Sequence, residues 1–81
     1  MTRHRPLTCK EVKKILANLH FSPRPVKGTS HEQWVKYDTK GSLLGKVTVD
    51  CPKAPFSQDL ISFMAKQAGV SKHDFYDALD K

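Results

Sequence analysis

The sequence predicts an α+β domain: a three-stranded antiparallel sheet with helices on one face, in the order α-β-β-β-α followed by a short C-terminal helix. Three observations carry this reading. Apolar residues first recur at helical spacing, at Val12, Ile15, Leu16 and Leu19. The period then shortens to two, with Val47 and Val49 alternating against Lys46 and Thr48. Helical spacing returns at Leu60, Ile61, Met64 and Ala68. Helices that bracket consecutive strands gather on one side of an antiparallel sheet and leave its other face open to a ligand.

Each element has a local cause. Residues 1–7 read as a loose basic arm. Thr8-Cys9-Lys10-Glu11 has the capping-box pattern, in which Thr8 accepts from the backbone of Glu11 and Glu11 bonds back. The first helix should fade near His20. Phe21 to Val26 contains Pro23 and Pro25, which lack ladder donors, so it reads as an edge strand or an extended lead-in. Lys27-Gly28-Thr29-Ser30 is a turn, and His31 to Tyr37 is a strand. Asp38-Thr39-Lys40-Gly41 is a hairpin loop with Gly41 in the left-handed position. Leu43 to Val49 is the last strand, and Cys51 to Pro55 is a loop. Ser57 caps the second helix, which stops at Gly69. Ser71-Lys72-His73-Asp74 opens the final helix, which carries Phe75, Tyr76, Ala78 and Leu79.

With 81 residues the chain reads as one domain, 1–81, too small to enclose a deep cofactor pocket. Chemistry should therefore sit on an open surface. Lys and Arg outnumber Asp and Glu by 14 to 8, a net charge of +6, which suits an acidic partner such as nucleic acid, an anionic membrane surface or an acidic protein. No apolar run is long enough to span a bilayer. No apolar stretch follows the basic start, so a secretory signal is not expected and a cytoplasmic location is. Cys9 and Cys51 are then expected as free thiols.

The catalytic candidates are few. The four histidines, His4, His20, His31 and His73, are scattered without metal-ligand spacing, and no phosphate-binding glycine loop or nucleophile elbow is present. No metal or cofactor is expected. Asp74, Asp77 and Asp80 read as a solvated face. His31 stands apart because it follows a turn and opens a strand, which holds a side chain firmly yet accessibly. Imidazole titrates near neutrality and can take a proton from a ribose 2′-hydroxyl. Cations nearby in sequence, Arg24, Lys27 and Lys36, could hold a phosphate. Strand alternation puts Gln33 on the face of His31 and puts Glu32, Trp34 and Lys36 on the other.

Three stretches in series resemble the HicA family of toxins, small endoribonucleases of toxin–antitoxin pairs. They are Lys27-Gly28-Thr29-Ser30-His31-Glu32-Gln33-Trp34, then Lys46-Val47-Thr48-Val49, then Leu60 through Ser71 with its Lys66-Gln67-Ala68-Gly69 ending. Two residues separate Gly28 from His31, where the family has one. Order and spacing match from residue 8 to 79. The resemblance implies a fold like a double-stranded-RNA-binding domain and metal-independent cleavage of mRNA. It also implies His31 as the essential general acid/base and a HicB-type antitoxin as partner. Arg24, Lys27, Gly28, Lys36 and Lys46 are the expected RNA-binding set. Two other readings stay open on the residues alone: a non-catalytic RNA-binding module of the same shape, and a basic protein-interaction domain.

Overall fold

In the computed structural model, which describes residues 6–24 and 31–80, the order is α1 (Cys9–Asn18), β1 (Ser22–Arg24), β2 (His31–Tyr37), β3 (Leu43–Asp50), α2 (Gln58–Ala68) and α3 (Lys72–Asp77). Short 3₁₀ turns follow β3 and α3. The three strands form one antiparallel sheet in the order β1-β2-β3, so the α+β architecture expected from the sequence is the observed one.

The helix ends form for the reasons their residues suggest. Thr8 Oγ1 accepts from the backbone N–H of Glu11, whose carboxylate accepts from the N–H of Thr8 at 3.0 Å. At the other end of α1, Phe21 N–H donates to the Leu16 carbonyl and His20 N–H to that of Ala17. This is a Schellman closure with His20 in the left-handed position, φ 73°. It turns the chain so that Phe21 re-enters the core beside Leu16. Ser57 and Ser71 cap α2 and α3, and Gly69 closes α2 at φ 78°. The hairpin between β2 and β3 is held by Asp38 Oδ1, which accepts from the backbone of Lys40 and of Ser42.

The core lies between one face of the sheet and the helices. Trp34, Val47 and Val49 point into it from the sheet. Val12, Ile15 and Leu16 come from α1, Ile61, Met64 and Ala65 from α2, and Phe75 and Tyr76 from α3. Leu60 and Ala68, expected inside, are only partly buried at its margin. Trp34 keeps its indole N–H satisfied by donating to Glu32 at 3.2 Å, and Glu32 pairs with Lys13 of α1 at 2.7 Å. Asn18 of α1 donates to the carbonyl of Ala78 at 2.7 Å, tying the first helix to the last turn.

Two expectations are corrected. Leu7 does not belong to a loose arm: it is fully buried and forms a bridge with Phe56, whose N–H donates to the Leu7 carbonyl at 2.9 Å. Of the rest of the expected arm, Pro6 is exposed and residues 1–5 lie outside the described residues. Cys9 and Cys51 are not free thiols. Their Cα atoms are 5.2 Å apart, within the span a disulfide requires, and the two are joined. The start of α1 and the end of β3 are brought side by side by the core they share. No helix among the described residues is long and apolar enough to cross a membrane.

Candidate functional site

Antiparallel pairing decides which side chains share the sheet's outer face. His31 is opposite Asp50, Gln33 opposite Thr48, and Val35 opposite Lys46. On the far side of β2, Arg24 is opposite Gln33 and Ser22 opposite Val35. Directly paired residues project to the same side, so these rows make up the face turned away from Trp34, Val47 and Val49. His31 is thus on the outer face and Trp34 in the core, as alternation requires. Val35 is the buried residue of this face.

At one end of the face, His31 Nε2 lies 3.6 Å from Asp50 Oδ2. The imidazole is about half exposed, at 53%, while the carboxylate is mostly covered, at 19%. The gap is longer than a hydrogen bond, and the two groups make an ion pair only when the imidazole is protonated.

The expected cations are distributed unequally. Arg24 lies on the outer face one strand over and two residues along from His31, at about 8 Å by strand geometry. Lys46 is on the same face, about 13 Å down β3 from Asp50. Lys36 is not part of this surface. It pairs with Gly45 at the far end of β2, on the core-facing side, with its Nζ 5.8 Å from the centroid of the Phe21 ring. Although Lys36 was expected in the RNA-binding set, alternation sends it away from His31, and the irregularity in pairing comes only after it, between Lys36 and Tyr37. Lys27 and Gly28 lie outside the described residues.

Two features were not anticipated. Asp50 was read as lying beyond the last strand. A regular hairpin with Tyr37 opposite Leu43 would set His31 opposite Val49; the one-residue shift in pairing between Lys36 and Tyr37 moves the partner to Asp50, and nothing in the local sequence marks that shift. The second is a cleft of about 160 Å³ next to the His31–Asp50 pair. α2 runs along the outer edge of β3, where Gln67 Oε1 accepts from the Thr48 N–H at 3.3 Å. That placement brings Phe56, Leu60, Phe63 and Met64 up as one wall of the cleft, with His31, Thr48, Asp50 and Lys53 around it.

No family model, no curated protein and no solved structure matches the chain.

Proposed function

We propose that this protein is a metal-independent endoribonuclease that cuts single-stranded mRNA, with His31 as its general base, and that it acts as the toxin of a toxin–antitoxin pair. The observation that supports this best is the placement of His31 against Asp50 on an open sheet face that also carries Arg24 and Lys46. In the reaction, His31 takes the proton of a ribose 2′-hydroxyl. The 2′-oxygen attacks the adjacent phosphorus, the bond from phosphorus to the 5′-oxygen breaks, and the leaving oxygen takes a proton from water. The products are a 2′,3′-cyclic phosphate and a 5′-hydroxyl. Asp50 steadies the imidazolium, and Arg24 and Lys46 hold the flanking phosphates. The nucleophile belongs to the substrate, so the chemistry asks for no activated water.

The resemblance to HicA toxins supports the finer reading of an acidic HicB-type antitoxin that covers this basic face. The deciding experiment incubates purified protein with single-stranded RNA in EDTA and identifies the new ends. Cleavage to cyclic phosphate ends that is lost in His31→Ala is the expected result. Cuts bearing a 5′-phosphate, or a His31→Ala variant as active as the parent, would overturn the mechanism.

A further inference from the structure

We propose that the cleft beside His31 receives one unpaired nucleobase of the RNA, next to the scissile phosphate, with the ring of Phe63 as its stacking surface; this rests on the RNA-cleaving reading above. Position is the first argument. His31 and Asp50 line the same cleft as Phe63, so a base entering it hangs from the backbone that His31 addresses. Size is the second. A cavity near 150 Å³ lined by apolar side chains holds one benzene ring, so about 160 Å³ suits a single planar ring and excludes a peptide helix.

Chemistry is the third argument. The wall of Phe56, Leu60, Phe63 and Met64 is apolar, as a base's faces require, while Thr48 and Lys53 at the cleft can meet the polar edge of a base. Phe63 is 58% exposed although its helix buries Ile61, Met64 and Ala65 in the core. The fold gains little from a phenyl ring there. Arg24, Lys46 and Lys53 supply the charge that a phosphate backbone threading this surface would need. Together these features fit a base joined to a phosphodiester, which brings a flat ring and the negative charge beside it in one unit.

The test measures fluorescence anisotropy of two labelled six-nucleotide strands, both 2′-O-methylated to block cleavage. One carries adenine bases and the other is abasic with the same phosphates. The parent protein should bind the adenine strand roughly 5- to 150-fold more tightly than the abasic one, the gain that one base–aromatic stack gives. Phe63→Ala should lose that preference while binding the abasic strand as before, and Phe63→Tyr should keep it. Equal binding of the adenine strand by Phe63→Ala and parent would sink the base site even if His31-dependent cleavage of natural RNA is intact. A Phe63-dependent base preference in a protein that cuts no RNA would uphold the site and refute the enzyme. A parent that binds neither strand, or one whose self-association depends on Phe63 while bases have no effect, would overturn the site in favour of a protein interface. The comparison of strands on the parent needs no variant, so a misfolded Phe63→Ala cannot leave the matter open.

Discussion

The sheet register makes a sharp prediction about which lysines and arginines meet RNA. Arg24, Lys46 and Lys53 lie on or beside the face of His31, whereas Lys36 lies on the opposite side at the far end of β2. Each phosphate contact to a single strand contributes about −0.7 to the slope of log affinity against log salt, so three contacts give roughly −2.1. Between 50 and 200 mM salt, a span of about 0.6 log units, binding should weaken about 18-fold. Removing Arg24 or Lys46 by alanine should bring the slope to about −1.4 and the weakening to about 7-fold. Lys36→Ala should leave the parent's slope unchanged. Anisotropy titrations of an uncleavable strand at four or five salt concentrations measure this directly. A Lys36→Ala variant whose slope falls as far as that of Arg24→Ala would show that RNA does not lie on the outer face, and the argument from register would be wrong.

Three further outcomes are expected. Asp50→Asn should keep KM and lower kcat about 5- to 10-fold, because a unit charge 3.6 Å away is worth ~1 kcal/mol under water-like screening; steady-state kinetics read this split, and an unchanged kcat would remove Asp50 from the site. Reducing the Cys9–Cys51 bond, which closes a loop with a sequence separation of 42, should cost about 2–4 kcal/mol and lower the melting temperature by on the order of 10–20 °C, measured by circular dichroism with and without reductant. Trp34 should show no quenching on RNA binding, since it is buried on the face away from His31; strong quenching without a change of fold would contradict the placement of RNA.

Much of the fold was legible because its signals are local. The caps at Thr8, Ser57 and Ser71, the stop at Gly69 and the Asp38 turn each act within four residues of themselves. The outer face followed from alternation along β2, and it placed His31 and Trp34 on opposite sides. Leu7 was misread although it carries a signal. It precedes the cap at Thr8, and Val12 follows four residues into the helix, which is the spacing of a hydrophobic staple. The Cys9–Cys51 contact has no local signature, because it depends on how α1 crosses the end of β3. The cleft was hidden for the same reason. Phe63 looks like an ordinary surface residue until α2 is laid against the edge of β3.

The disulfide also changes the connectivity of the molecule. Residues 9 to 51 form a closed ring that includes all three strands and the hairpin tip. Lys40 sits exposed at that tip, so a protease that cuts after it opens the ring without releasing a fragment. His31 is then carried by one piece and Asp50 by the other, with the sulfur bridge as the covalent tie between them. A nicked chain would run as one species without reductant and as two with it. Each piece then bears one member of the His31–Asp50 couple.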